Sequence, residues 1–279
     1  MKKKVLVIGG TGKTGRRVAD RLKAQGHEVR IGSRSQNPSF DWDNPETFAA
    51  ALQGMDMAYI TYHPDLAVPG AKEDIKALTE EAVKQGLKKV VLLSGKGEKE
   101  AEACEQIVAG SGLDYTLVRA SWFNQNFSES FFLDPILEGF VALPMANAEI
   151  PFVDADDIAD VVTEVLLNER YNGRTITVTG PRKMTLKEAV ETIASSANRE
   201  IGFQSISVEE YAEGMKAAGL PENYVWLFSY LFTEVLGNSE NQRVYNDLDE
   251  VLGRKSKDFS EFAKETAATG VWGSPVLSA

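Results

Sequence analysis

Apolar residues recur along this chain in two alternating rhythms. Val5-Leu6-Val7-Ile8, Val29-Arg30-Ile31-Gly32, Met57 to Tyr62, Lys89 to Ser94 and Tyr115 to Arg119 are short runs, the right length for buried strands. Helical spacing fills the gaps between them. One helix opens at Arg16 with Val18 and Leu22 on a common face, and a second runs from Pro45 to Leu52 behind an Asn44 cap. A third spans Ala71 to Gln85 and stops at Gly86, and a fourth spans Lys99 to Ala109 and closes at Gly110. Strictly alternating strands and helices predict an α/β fold, a Rossmann-type doubly wound parallel sheet with helices on both faces.

The rhythm changes after Ala120. Ser121-Trp122-Phe123-Asn124-Gln125-Asn126-Phe127 is aromatic and amide-rich, and Asp154-Ala155-Asp156-Asp157 opens an acid-capped helix. Thr175 to Val178 reads as one more strand, broken by Gly180-Pro181. From Thr185 onward helices dominate, with a strand near Ile201 to Ile206. The expected division is a dinucleotide-binding domain over residues 1–182 and a smaller, mainly helical C-terminal substrate lobe over 183–279. Residues 121–140 are expected to contribute to the cleft.

The first strand runs into Gly9-Gly10-Thr11-Gly12-Lys13-Thr14-Gly15. A strand, a glycine turn and a helix in that order form a phosphate site, because main chain can approach the anion closely and the helix N-terminus meets its charge. Gly12-Lys13-Thr14 could end a Walker A loop, but that motif needs a glycine at position 7, which is Val7. Gly9, Gly12 and Gly15 instead have the spacing of short-chain and extended dehydrogenases. The second strand ends in Ser33-Arg34-Ser35, where NAD-preferring folds place an acid on the ribose. With no acid there, Arg34 and the flanking hydroxyls suit a 2′-phosphate, so the expected cofactor is NADP(H). Ligands of such sheets lie beyond the carboxyl ends of the strands, which makes Thr61, Tyr62, His63 and Ser94-Gly95-Lys96 candidates for cofactor contact.

Composition narrows the alternatives. Forty-one acidic against 30 basic residues give a net charge of −11, which disfavours nucleic acid as a partner. No stretch suits a signal peptide or a membrane span, and a single cysteine, Cys104, fits a reducing cytoplasm. His27 and His63 lack the carboxylate spacing of a metal site, and no G-x-S-x-G elbow supports a hydrolase.

Taken together, these residues resemble the NmrA-like family of atypical short-chain dehydrogenases. The resemblance rests on the glycine turn, Ser33-Arg34, Gly112 to Arg119 leading into Trp122-Phe123 and Asn126-Phe127, and Phe152 to Ala159. The tail, with Val251-Leu252-Gly253-Arg254, Asp258-Phe259 and Gly270-Val271-Trp272, is similar to the branch of ergot-alkaloid festuclavine and agroclavine dehydrogenases. The resemblance implies that Gly9 to Gly15 hold the pyrophosphate and Arg34 the 2′-phosphate. It implies that Thr61 to His63, Ser94 and Ala120 to Phe123, Trp122 included, line the ribose and nicotinamide. The family also contains members that only bind the dinucleotide and signal its redox state to a protein partner.

One departure is informative. The usual general acid of short-chain dehydrogenases is a Tyr with a Lys four residues later. Four residues after each of the eight tyrosines here stand His63, Leu66, Arg119, Thr175, Met215, Phe228, Glu234 and Asp249. None is lysine. That disfavours ketone or alcohol chemistry, and with it an epimerase. Two explanations remain: a reductase of a small planar acceptor that needs little proton assistance (an iminium, a quinone or a dye), or a non-catalytic redox sensor. Ser94, Lys96 and Tyr62 are the candidate proton donors. Trp122, Asn126, Trp226 and Tyr230 are the candidate substrate contacts, within an aromatic set that also includes Tyr211, Tyr224, Phe228 and Phe232.

Overall fold

The computed structural model describes residues 2–273. In chain order the elements are β1 (Lys4–Ile8), α1 (Lys13–Ala24), β2 (Glu28–Gly32), α2 (Thr47–Leu52), β3 (Met57–Ile60), α3 (Ala71–Lys84), β4 (Lys89–Gly95), α4 (Lys99–Gly110) and β5 (Asp114–Ala120). There follow α5 (Leu133–Glu138), β6 (Phe140–Leu143), α6 (Ala155–Leu167), β7 (Arg174–Val178), α7 (Leu186–Ala197), β8 (Gly202–Ser205), α8 (Val208–Ala217), α9 (Glu222–Tyr230), α10 (Asp247–Leu252) and α11 (Phe259–Ala268). They fall into two compact units. The first holds the chain up to Ala120 with Ala155–Val178 and Asp247–Arg254, and the second holds Ser121–Asp154, Thr179–Asn246 and the chain from Lys255.

The first unit is built on a six-stranded sheet in the order β2-β1-β3-β4-β5-β7, and every pair is parallel. This is the doubly wound α/β architecture. Val5 to Ile8 are wholly buried because β1 is a central strand, paired with β2 on one side and β3 on the other. The strand order therefore reverses at β1, which sets the topological switch point beside the glycine turn. Leu6, Ile8, Ala58, Ile60, Ile75, Leu78 and Leu92 share one buried cluster on this sheet.

Polar contacts bring distant segments back to that unit. Arg17 and Arg21 on α1 meet Asp156 at the start of α6, at 3.3 and 2.9 Å, and Arg254 after α10 meets Asp157 at 2.7 Å. Asp156 and Asp157 also suit the positive end of the α6 dipole. At the other end of α6 the buried Lys89 ammonium donates to the carbonyls of Val165 at 2.5 Å and Asn168 at 3.2 Å. These returns make the first unit discontinuous in sequence, where a single break near residue 182 was expected.

The second unit packs α5, α7, α8, α9 and α11 with a two-stranded parallel sheet of β6 and β8. Its core is aromatic: Phe127, Phe132, Phe152, Phe232, Phe259, Phe262 and Trp272 belong to one buried cluster. The Trp272 indole donates to the Phe127 carbonyl at 2.8 Å, which ties the tail motif to the Asn126-Phe127 motif. Capping boxes at Thr185–Glu188 and Ser207–Glu210 start α7 and α8. The sequence pattern did not announce β6. It is only four residues long, Phe140-Val141-Ala142-Leu143, and so short an apolar run carries no periodicity that separates strand from helix or loop.

Candidate functional site

The glycine turn is closed by its own main chain. The Gly9 N–H donates to the Gly32 carbonyl at 3.0 Å, and the Gly9 carbonyl accepts from the Gly12 N–H at 2.8 Å. Gly9 and Gly15 are its tightest positions. Gly9 has φ +67°, and a Cβ there would fall 2.1 Å from Thr61 Oγ1. A Cβ on Gly15 would fall 2.2 Å from the Gly9 carbonyl oxygen, so α1 can sit this close to the turn only with glycine at that position.

Gly12 caps α1 and gives it no side-chain hydrogen bond, and the first turn of α1 holds no acidic residue. The positive end of the α1 dipole thus faces no carboxylate of its own first turn, which suits an anion. Thr11 and Gly12 are exposed, Lys13 is half-buried and Gly10 is buried. Thr14 is turned inward, and its hydroxyl accepts from the buried Tyr59 hydroxyl at 3.0 Å. Its side chain supports α1 on β3, which leaves only its main chain to offer a ligand.

Thr61 bridges the switch point, donating to the Ile8 carbonyl at 3.0 Å. Beyond β2, the Ser33 carbonyl accepts from the N–H groups of Gln36 at 3.2 Å and Phe40 at 3.0 Å, which folds a tight turn. Arg34 stands exposed on that turn, with no ion-pair partner among the described residues, and Ser33 and Ser35 pair their hydroxyls at 3.2 Å. No carboxylate occurs from Ser33 to Asn37. The turn, the uncovered helix start and Arg34 fit a phosphorylated dinucleotide.

The remaining strand ends are less free. The Tyr62 hydroxyl donates to Asp74 Oδ2 at 2.6 Å, and its ring leans on Trp42 at 4.7 Å between centroids. Burial first, and then the Asp74 carboxylate, push the phenol well above its ordinary range. Tyr62 is therefore poorly placed as a proton donor, because its proton is already committed to Asp74. His63 is exposed. Ser94 is buried, and its Oγ has no hydrogen-bond partner. Lys96 is also buried, and its N–H donates to the Ala120 carbonyl at 3.0 Å, joining the ends of β4 and β5. Among the described residues no cluster of His, Cys, Asp or Glu is arranged to hold a metal ion.

In the second unit, Trp122 is half-buried against Phe132 and Phe232, at centroid distances of 6.2 and 5.5 Å. Phe123 bridges to Val153, and Asn126 is buried with its carbonyl on the Phe132 N–H at 3.2 Å. The aromatic set of α9 and the π-helical turn after it (Leu231–Val235) divides in two. Phe228 and Phe232 are core, whereas Trp226 is 43% exposed and stacks on Tyr230 at 5.4 Å with an interplanar angle of 9°.

Three features escaped the sequence reading: the Tyr59–Thr14 bond, a buried carboxyl at Glu98, and Asn124. Asn124 is fully buried, its Oδ1 lacks a partner, and its Nδ2 reaches Asp154 at 3.4 Å. Asn-x-Asn in an aromatic segment was the available signal, and only Asn126 was singled out.

The model of the NmrA-like family matches residues 1–266. The chain belongs to the NmrA-like family. Its relatives include the prestalk A differentiation protein A of Dictyostelium discoideum, 28% identical over 95% of this chain and 93% of that protein. An uncharacterized oxidoreductase of Bacillus subtilis (strain 168) is 30% identical over 96% and 97% of the two chains. Agroclavine dehydrogenase of Claviceps fusiformis is 27% identical over 96% and 98%. Among solved structures, a nucleoside-diphosphate-sugar epimerase of Staphylococcus aureus has a TM-score of 0.80 at 17% identity, over 95% of the NmrA-like chain and all of its own. The Citrobacter sp. triphenylmethane reductase solved with NADP(H) has a TM-score of 0.73 at 19% identity, over 94% and 99%. At such identities these two structures speak for the fold of the NmrA-like chain.

Proposed function

We propose that this chain is an NADP(H)-dependent oxidoreductase that passes hydride to a small planar acceptor of the iminium, quinone or dye class. The observation that carries the reading is the glycine turn at the switch point, with an uncapped helix start behind it and Arg34 beside it. Main-chain N–H groups of the turn and of α1 hold the pyrophosphate, and Arg34 pairs with the 2′-phosphate. Bound NADPH supplies the hydride. Thr61 and the ends of β4 and β5, with Ser94, Gly95, Lys96 and Ala120, border the ribose and nicotinamide.

The absent acid supports this acceptor class. Tyr59 and Tyr62, the tyrosines of the β3 region, donate to Thr14 and Asp74. No tyrosine is followed by lysine at the required spacing. An iminium or triarylmethyl cation is neutralised by hydride alone, so orienting the two partners supplies most of the catalysis. Within the second unit, Trp226 is 43% exposed and stacks on the half-buried Tyr230, which gives that unit a flat aromatic face. The relative named agroclavine dehydrogenase and the fold neighbour named triphenylmethane reductase are consistent with this acceptor chemistry.

The test is steady NADPH oxidation with a panel of cyclic iminium ions, quinones, azo dyes and triarylmethane dyes. Turnover with at least one supports the reductase. The missing acid pair also favours a second reading, a dinucleotide-binding regulator. Tight NADPH binding without turnover, together with redox-dependent capture of a protein partner, would favour it.

A further inference from the structure

Two stretches that carry the family resemblance, Phe152 to Ala159 and Val251 to Arg254, lie outside the glycine turn, yet ion pairs join both to the helix behind it. Arg17 and Arg21 stand four residues apart on α1, and Asp156 and Asp160 four apart on α6, so each pair shares one helix face. The two faces interlock. Arg17 Nε reaches Asp156 Oδ2 at 3.3 Å, Arg21 Nη2 reaches Asp156 Oδ1 at 2.9 Å, and Arg21 Nε meets Asp160 Oδ1. Asp160 turns its other oxygen, Oδ2, to Arg254 Nη2 at 2.5 Å, and the same nitrogen reaches Asp157 Oδ1 at 2.7 Å. Charge therefore alternates along one chain of side chains, Arg17–Asp156–Arg21–Asp160–Arg254–Asp157. It runs from α1 through α6 to the end of α10, all within the first unit.

An isolated surface ion pair stabilises little, but this chain is neither isolated nor wholly at the surface. The side chain of Asp157 is 1% exposed and that of Arg17 is 16% exposed. Val18, Ala19 and Leu22 bury the inner face of α1. Apolar contacts of that kind are non-directional and resist sliding along the helix axis only weakly. Hydrogen-bonded ion pairs have a preferred distance and direction, so two arginines one turn apart fix the axial position as well. Arg17 also donates to the Lys13 carbonyl at 2.8 Å, which carries the constraint into the first turn of α1. That turn has the least slack, because Gly15 already packs against the Gly9 carbonyl.

We propose that Arg254 is a positioning residue for the dinucleotide site. It orients Asp160, Asp160 orients Arg21, and Arg21 sets the axial position at which the first turn of α1 presents its N–H groups to a pyrophosphate. Arg254 acts through those two side chains and not on the ligand. The ligand half rests on the function proposed above, and the hold on α1 does not. A pyrophosphate is common to NADPH and NADH, so loss of this hold weakens both alike. Loss of Arg34, which faces a 2′-phosphate, weakens NADPH selectively. The two arginines thus leave different signatures in the same titration.

The test compares the full-length wild type with Arg254→Gln. Without ligand, amide hydrogen exchange over α1 should quicken about tenfold in the variant and stay level over α4, and unchanged exchange over α1 would overturn the hold. Affinity for NADPH and for NADH should each fall about tenfold, the loss of roughly one main-chain hydrogen bond to a charged ligand. Wild-type affinity for both, or a loss confined to NADPH, would overturn the positioning role. One nitrogen of Arg254 makes both contacts, so the ammonium of Arg254→Lys should restore both affinities to within about threefold. Failure of that rescue would overturn the role of the charge. Arg199→Gln controls for destabilisation alone, since it gives up the Trp272 carbonyl and the Leu137 carbonyl (2.8 Å) within the second unit. It should lower Tm and leave both affinities level, and an equal loss of affinity there would overturn the positioning role. Asp160→Asn breaks the same relay at its centre and serves if Arg254→Gln does not fold. Should the wild type bind neither dinucleotide, the dinucleotide reading and the ligand half fail together, while hydrogen exchange still decides the hold on α1.

Discussion

Replacing Gly15 by alanine adds one methyl group at the tightest point of the glycine turn. The new Cβ would stand 2.2 Å from the Gly9 oxygen, 2.7 Å from the Gly9 carbonyl carbon and 2.9 Å from Gly10 Cα. All three are main-chain atoms and cannot swing away as a side-chain tip can. An ordinary C···O approach is roughly 3.3 Å, so α1 and the turn must part by about 1 Å. Overpacking of this kind costs about 1–3 kcal/mol, and the helix preference of alanine over glycine returns about 1 kcal/mol. The expected net destabilisation is about 1 kcal/mol, or about 2–4 °C in Tm for a domain of this size. The effect on NADPH is larger, because the same shift misaligns main-chain donors worth about 1.5–3 kcal/mol each toward a charged ligand, so affinity drops at least about tenfold. Gly110→Ala is the control. Gly110 ends α4, a Cβ there meets nothing within 4 Å, and its backbone is not left-handed. This variant should gain about 0.4–1 kcal/mol and bind NADPH as the wild type does. Thermal melts and fluorescence titration with NADPH read both quantities. A Gly15→Ala protein that melts with the control and binds NADPH at wild-type affinity would refute the reasoning.

Arg34→Ala should weaken NADPH about tenfold or more and leave NADH nearly unchanged, since only the former carries the 2′-phosphate; equal losses for both would remove Arg34 from the site. Tyr62→Phe should leave kcat with an accepted dye within about threefold and cost about 1 kcal/mol in stability, because the hydroxyl serves Asp74. A general acid lost at that position would lower kcat about a hundredfold or more, and that result would restore Tyr62 as the proton donor. Burial alone would raise the Asp258 carboxyl, but the hydrogen bonds from Arg182 and Ser260 and the Arg182 charge outweigh it and hold it at about 2. A depressed carboxyl stabilises the fold above its unfolded range and loses that contribution as pH falls toward the folded value. Asp258→Asn keeps a capping side chain for α11 and should cost about 1 kcal/mol at neutral pH, a figure discounted because half of the Arg182 side chain faces solvent. The gap from the wild type should close between about pH 4 and about pH 2 in urea titrations, and a constant gap would count against the ion pair.

The parts of the site legible in the sequence are those made by neighbours along the chain. Gly9 to Gly15 is one local turn, and Arg34 follows directly from the end of β2, so residue type and position sufficed. Thr14 shows the limit of that reading. It stands in the turn, yet its hydroxyl is engaged by Tyr59 from β3, a pairing that only the parallel register of β1 and β3 creates. The aromatics of α9 could not be sorted from sequence, because apolar residues occupy most of the helix and the face of Trp226 and Tyr230 differs from that of Phe228 only by packing. The expected linear boundary placed Ser121–Asp154 in the first domain and missed the return of α10, since the ion pair that marks that return joins residues far apart in sequence.

The most direct measurement of the proposed chemistry uses NADPH deuterated at the transferring position of the nicotinamide, with the full-length chain and each class of planar acceptor. Mass spectrometry of the reduced acceptor should find the deuterium on carbon where the product is an amine or a triarylmethane, in step with NADPH consumed. Saturable NADPH binding with no deuterium in any product, across the whole panel, would contradict hydride transfer and leave a dinucleotide-binding protein in place of a reductase.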